Sequence, residues 1–221
     1  MGKLIGGASP RERLRHILNL LQRAHPDAKV ELDHSNAFEL LVATILSAQC
    51  TDERVNSVTP TLFAHYKDAE ALAQARPGDL ERIIHPTGFY RNKAKNLIRC
   101  SQRLVNVYQG QVPHTMEDLT SLPGIGRKTA NVLLGACFAQ PAIVVDTHVK
   151  RVANRLGLTA STDPTQIEYD LQELLPPKDW TAGAQHLLLH GRYVCVARKP
   201  KCDQCVIYQN CPLEGKPTLL C

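Results

Sequence analysis

Apolar residues recur at helical spacing along almost the whole chain. Leu14, Ile17, Leu18 and Leu21 fall on one helical stripe, and Phe38, Leu41, Val42, Ile45 and Leu46 on another. No stretch alternates at period two. The β-branched run Ile143-Val144-Val145 is three residues long and stands alone, so the pattern predicts an all-α fold. Breakers at Pro26-Asp27, Pro77-Gly78, Pro86 to Gly88, Pro123-Gly124, Pro141, Asp163-Pro164 and Pro176-Pro177 leave about ten segments of ordinary helix length. Asp163 before Pro164 reads as an N-cap with proline at the first helical position, and Thr115 with Asp118 as a capping box. Pro60 falls inside an otherwise helical pattern. Internal repeats, low-complexity segments and long linkers are absent from the sequence.

Composition narrows the class. A chain of 221 residues with 43% hydrophobic content has enough apolar material for a real core, which excludes a disordered or fibrous protein. Its longest apolar stretch, Val132 to Val145, is broken by Gln140 and Pro141 and falls short of the roughly 18–20 residues a membrane span needs. The opening MGKLIG has no apolar h-region behind it, and Gly6 stands where myristoylation wants Ser or Thr. The expectation is an unprocessed intracellular protein, cytoplasmic or nucleoid-associated if the source is bacterial, without a membrane partner. The net charge of +5 is clustered: Arg91, Lys93, Lys95, Arg99 and Arg103 fall between Gly88 and Arg103 with no acidic residue among them. A nucleic acid is a candidate partner on that ground alone.

Three constellations carry chemistry. In LPGIGRKTAN (122–131), Gly124 and Gly126 let the backbone turn tightly and bare N–H groups approach a ligand, and a helix N-terminus follows. Arg127 separates glycine from lysine, which excludes a P-loop, and Thr129 excludes the dinucleotide fingerprint. As a bare pattern the segment is either a phosphate cradle or an ordinary helix–turn–helix connection. Lys128 is either a solvated, phosphate-contacting charge or a nucleophile, since Arg127 and the helix dipole both disfavour its positive form. Asp146 precedes THVKRVANRL (147–156) and reads as a helix N-cap, as a catalytic carboxylate, or as both. Cys195, Cys202, Cys205 and Cys211 form C-x6-C-x2-C-x5-C, four soft ligands for zinc or for an iron–sulfur cluster. Only Cys202 to Cys205 makes a zinc-type knuckle, which leans the set towards iron–sulfur. Cys50, Cys100, Cys137 and Cys221 read as ordinary thiols.

Taken together and in this order, LPGIGRKTANVLL (122–134), VDTH (145–148) and the cysteine run resemble the endonuclease III family of base-excision DNA glycosylases. LSAQCTD (46–52), TGFYRNKAKN (87–96) and HGRYVCVARKPKC (190–202) extend the resemblance to residues 29–213. It implies a two-lobed helix-hairpin-helix glycosylase fold with a C-terminal [4Fe–4S] loop: a helical domain over 30–140, and a cluster domain formed by 1–29 plus 141–221. It assigns Lys128 as the nucleophile, Asp146 as its acidic partner and the four cysteines as cluster ligands. The implied activity is that of a bifunctional glycosylase and abasic-site lyase. Such an enzyme removes oxidised pyrimidines from duplex DNA through a lysine Schiff base and cuts 3′ to the abasic site by β-elimination.

The implied partner is double-stranded DNA containing damaged bases or abasic sites, bound by a monomer. Expected DNA contacts are the hairpin residues Gly124, Ile125, Gly126, Arg127 and Thr129, with Lys199 and Lys201 on a basic loop shaped by the metal. Gln49 and Phe89 are expected to fill the gap left by a flipped nucleotide. Phe89 departs from the leucine of the family pattern, and its alternative is a core aromatic. Asp52 and His148 match positions near the pocket, and Asp52 reads equally as a helix cap. Two other readings make different predictions. A binding module would bind DNA without turnover. A mismatch adenine glycosylase would lack the lysine and carry an acid on an earlier helix, where Ile45 stands. His186 and His190 lack the glutamate of a zinc-hydrolase helix and, with Trp180, read as packing residues.

Overall fold

The computed structural model describes residues 9–213; Gly6, the tail after Leu213 and Cys221 lie outside the described residues. Within them are eleven α-helices and no strand. The chain divides into two units, Val30–Gln140 and Met1–Lys29 with Pro141–Cys221.

The first unit holds α2 (Ala37–Leu46), α3 (Asp52–His65), α4 (Ala69–Ala73), α5 (Pro77–Ile84), α6 (Tyr90–Tyr108), α7 (Met116–Ser121) and α8 (Arg127–Cys137). Seven consecutive residues of α2, Leu40 to Leu46, are buried, so this helix is covered on every side and forms the middle of the unit. It packs on α3, α6 and α8, while α6 packs on α4 and α5. Side-chain caps fix most of the starts. Asn36 accepts from Glu39 N, Thr51 from Arg54 N, Asp68 from Ala71 N and Thr115 from Asp118 N. Asp52 is therefore the first helical residue of α3 and not its cap, which corrects the alternative weighed above. Pro60 is accommodated inside α3 and gives up the bond its missing N–H would make to Asn56. Burial pushes the Cys100 thiol up to about 12, which makes it an inert core residue.

In the second unit are α1 (Pro10–Ala24), α9 (Thr147–Arg155), α10 (Pro164–Leu174) and α11 (Trp180–Tyr193). Leu14, Ile17 and Leu21 of α1 share a core with Ile143, Val149, Val152, Ile167, Leu171 and Leu187. Ile143 and Val145 of the β-branched run are buried in the core, on a loop and not on a strand. Arg11 Nη2 donates to Glu173 O at 2.7 Å and Gln185 Nε2 to Lys29 O at 2.6 Å, tying the first segment to the last third. Where α9 meets α11, a Cβ on Gly191 would stand 3.0 Å from His148 Cβ and Val152 Cγ2, so glycine sets the closeness of that crossing. Both expected packing histidines are buried, and Trp180 packs on the core edge with Nε1 donating to Leu175 O.

Candidate functional site

The hairpin is built from α7, a short turn and α8. Ile125 N donates to Leu122 O at 3.1 Å, and the buried Ile125 side chain pins the turn from inside. The two glycines act differently. Gly124 has φ +84, where a side chain is strained, and a Cβ there would lie 3.1 Å from Asn96. Gly126 is extended, at φ −103 and ψ 175, a conformation any residue adopts, and nothing lies within 4 Å of where its Cβ would be. Its contribution is therefore open space in front of the helix rather than the turn. As N-cap of α8 it offers no side-chain cap, and the first turn holds no acidic residue but contains Arg127 and Lys128. Lys128 is exposed, with Arg127 and Thr129 half-buried. Two cations at the positive end of an uncapped helix form an anion-seeking arrangement.

The expected gap-filling residues sit on two other turns of the same unit. After α2, Ser47 N donates to Ala43 O and Cys50 N to Ser47 O, and the chain passes through Gln49, exposed, at φ 55. After α5, a 3₁₀ turn over His85–Thr87 leads through Gly88 (φ 69) to Phe89 (φ 48), the N-cap of α6. Phe89 is 61% exposed, which removes the core-aromatic alternative. The basic run resolves into two kinds of residue. Arg91, Lys95, Arg99 and Arg103 are exposed at four-residue intervals on one side of α6. Lys93, counted above with the surface charge, is instead 4% exposed, and its Nζ donates to Leu46 O and Thr87 O, both at 2.8 Å.

In the second unit Asp146 is the N-cap of α9. Its Oδ1 accepts from His148 N and Val149 N, both at 2.8 Å, so capping occupies one carboxylate oxygen. His148 Nδ1 lies 3.1 Å from Arg151 Nη2. Arg151 also donates to Gly191 O at 2.7 Å and Cys195 O at 3.0 Å. Sequence reasoning missed Arg151 and Arg155, because most of their acceptors are backbone carbonyls far along the chain.

Cys195, Cys202, Cys205 and Cys211 line one concavity together with Arg155, His190 and Tyr208. Among the described residues, no group of three or more His, Cys, Asp or Glu side chains is set to hold a single ion. Four thiol side chains that line one concavity are a soft donor set of the kind that zinc and iron–sulfur clusters both take. The donor chemistry fits as well. Arg155 Nη1 donates to Cys195 Sγ at 3.2 Å, and His190 Nε2 lies 3.7 Å from Cys205 Sγ. Burial, then the neighbouring Cys211, Cys195 and Cys202 sulfurs against a backbone hydrogen bond, pushes the Cys205 thiol up to about 11. Four thiolates gathered here would repel one another, and a bound iron–sulfur cluster would supply the positive charge that offsets them. Lys199 and Lys201 are exposed on the same loop, Lys199 at φ 53. No helix among the described residues is long and apolar enough to cross a membrane.

Comparison with known proteins gives consistent answers. Residues 42–177 match the HhH-GPD superfamily of base excision DNA repair proteins, and residues 195–211 match the iron–sulfur binding domain of endonuclease III. The chain is 52% identical over 206 residues to endonuclease III of Synechocystis, covering 93% of this chain and 94% of that protein. It is 38% identical over 200 residues to endonuclease III of Escherichia coli K12, covering 90% and 95%. A solved structure of a trapped endonuclease III–DNA covalent intermediate superposes with a TM-score of 0.87 at 40% identity, over 91% of this chain and 95% of that one. A thermostable thymine-DNA glycosylase at 20% identity shares the fold, with a TM-score of 0.84.

Proposed function

The chain belongs to the endonuclease III family of base-excision DNA repair enzymes, and from that premise we propose how its residues divide the work. The enzyme is a DNA glycosylase and abasic-site lyase that carries a [4Fe–4S] cluster. In our reading Lys128 is the nucleophile. Its neutral amine attacks C1′ of the flipped nucleotide, the N-glycosidic bond breaks, and the base leaves with the bonding pair and takes up a proton. Asp146 stabilises the positive charge that grows on the sugar, through the carboxylate oxygen that capping leaves over. The nitrogen then loses a proton and the sugar ring opens by cleavage of C1′–O4′, with a proton taken up by O4′, which leaves a Schiff base. This acidifies the C2′ proton, whose removal expels the 3′ phosphate by β-elimination.

The substrates in this reading are oxidised or ring-damaged pyrimidines, and abasic sites, in duplex DNA. Gly124, Ile125, Gly126, Arg127 and Thr129 hold phosphates beside the lysine, Gln49 and Phe89 occupy the gap, and Asp52 and His148 border the pocket. Cys195, Cys202, Cys205 and Cys211 hold the cluster, whose role is to fold the loop presenting Lys199 and Lys201 to the backbone. A single chain supplies amine, carboxylate and thiolates, which supports action as a monomer, at the nucleoid in a bacterium. The observation that carries the assignment is the uncapped start of α8, where Lys128 stands exposed beside Arg127 with open space at Gly126.

Borohydride trapping tests it, on duplexes containing thymine glycol or an abasic site. Wild type is expected to give a covalent product and Lys128→Ala none. A trapped product from Lys128→Ala would show that another amine is the nucleophile.

A further inference from the structure

We propose that Lys93 is a positioning residue: its buried ammonium locks the Gln49 segment to the Phe89 segment, and opening of the duplex depends on that lock. The proposal rests on the gap-filling roles given above to Gln49 and Phe89.

Lysine ordinarily keeps its ammonium in water, and burying one without partners is costly. Lys93 is 4% exposed, so it adds nothing to the surface charge that attracts DNA. An apolar side chain would fill the same place without desolvating a charge. What lysine adds is direction, since Nζ donates to two carbonyls that belong to different turns. Leu46 is the last residue of α2, and its carbonyl is among those a helix C-terminus leaves unpaired, at the negative end of the dipole. Thr87 closes the 3₁₀ turn before Gly88, and its own hydroxyl donates to Ile84 O. Gln49 follows Leu46 by three residues, and Phe89 follows Thr87 by two.

Both of these residues hold left-handed backbone, at φ 55 and φ 48. For side-chain-bearing residues such conformations are strained and persist where the surroundings over-determine them. Lys93 is that restraint on both sides. Its own backbone N–H donates to Phe89 O at 3.1 Å, so the residue grips the wedge turn by main chain and side chain together. Burial also lowers the pKa of the ammonium.

The test uses the cluster-loaded full chain and three readouts: single-turnover release of thymine glycol from duplex DNA, cleavage of a pre-formed abasic site in single-stranded DNA, and fluorescence of 2-aminopurine placed opposite the lesion. Lys93→Met is expected to slow duplex release roughly 100-fold and abolish the fluorescence rise, with single-strand cleavage within about threefold of wild type. Hydrogen exchange should quicken in residues 47–50 and 87–89. Phe89→Ala and Gln49→Ala should likewise slow duplex release and abolish the fluorescence rise. If Lys93→Met does not fold, Lys93→Arg, which keeps the charge but displaces the donors, is expected to lose roughly tenfold in duplex release alone. Wild-type duplex release by Lys93→Met, or an equal loss on both substrates, would overturn the lock. If Phe89→Ala and Gln49→Ala open and repair duplex normally, the gap-filling reading falls. If those two lose opening and Lys93→Met does not, only the lock falls.

Discussion

Replacing Asp146 by Asn and by Ala separates the carboxylate's service as a helix cap from its service to the sugar. Oδ1 accepts two amide hydrogen bonds at 2.8 Å from His148 and Val149. An asparagine carbonyl oxygen accepts the same pair, and Asn and Asp cap about equally well. Asp146→Asn therefore gives up only the charge–dipole attraction, about 0.3–1 kcal/mol. Asp146→Ala also gives up the cap, a further 0.5–2 kcal/mol or so. For a chain of this size about 1 kcal/mol corresponds to roughly 2–4 °C, so Asn should melt within about 4 °C of wild type and Ala lower. Catalysis should not follow that order. Both variants lose the negative charge facing the developing cation, and each should release base about 10²–10³-fold more slowly. Trapping on a pre-formed abasic site, where no glycosidic bond remains to be broken, should fall much less. The assays are thermal unfolding by circular dichroism and single-turnover base release on the same preparations. Near-wild-type release by Asp146→Asn would refute the catalytic charge and leave Asp146 a cap. Equal destabilisation by Asn and Ala would refute the account of capping.

Two further outcomes follow from the surface. Neutralising Lys199 and Lys201 should weaken damaged and undamaged duplex equally and reduce the salt slope of binding by up to about 0.9 for each phosphate no longer neutralised, measured by fluorescence anisotropy at several salt concentrations; weakening confined to damaged DNA would contradict a backbone role. The Asp170 carboxyl is held below the usual range, first by the Thr159 hydroxyl and then by Gln166, against a small opposing effect of burial. Its stabilisation is then present above the unfolded value near 3.8 and lost as pH falls through the lowered folded one, so Asp170→Asn should flatten the acid limb of Tm against pH below about 4.

The sequence made the hairpin readable because its signals are local. Proline and glycine end α7 at Ser121, and α8 begins at Arg127, as the breaker pattern predicts. The caps at Thr115, Asp146 and Asp163 are equally local and hold, although the Asp118 carboxylate accepts from the Thr115 hydroxyl and not from its backbone N–H, so the expected capping box is half formed. Composition misplaces Lys93 because it counts any lysine as surface charge. The residue's phase carries the contrary signal: Lys93, Leu97, Cys100 and Leu104 fall at i, i+4, i+7 and i+11, on the buried stripe of α6, and the other four basic residues do not. Arg155 has no such signal, since three of its acceptors are the carbonyls of Cys195, Val196 and Ala197, which leave no trace in residue type, and the fourth, Cys195 Sγ, lies forty residues away. Gly124 and Gly126 look alike in sequence, and only φ separates the glycine the turn requires from the one that leaves room.

Departures from local rules mark the site more sharply than its charged residues do. Five residues other than glycine hold positive φ among the described residues: Gln49, Phe89, Gln109, Ala139 and Lys199. Gln109 is the C-cap of α6 and Ala139 follows that of α8, positions where left-handed backbone ends a helix in the ordinary way. The other three have exposed side chains. Each is nevertheless braced from below. Lys93 grips the first two turns, and Arg155 holds the carbonyls of Val196 and Ala197 just before Lys199. Strained, exposed and braced side chains are pre-organised for a partner, because the ordering cost is met in folding rather than at binding. The start of α8 belongs with them, since its uncapped, doubly cationic turn destabilises the free helix and suits it to a phosphate. In the proposed reading, DNA phosphates offset the charge that the free protein gathers at the start of α8.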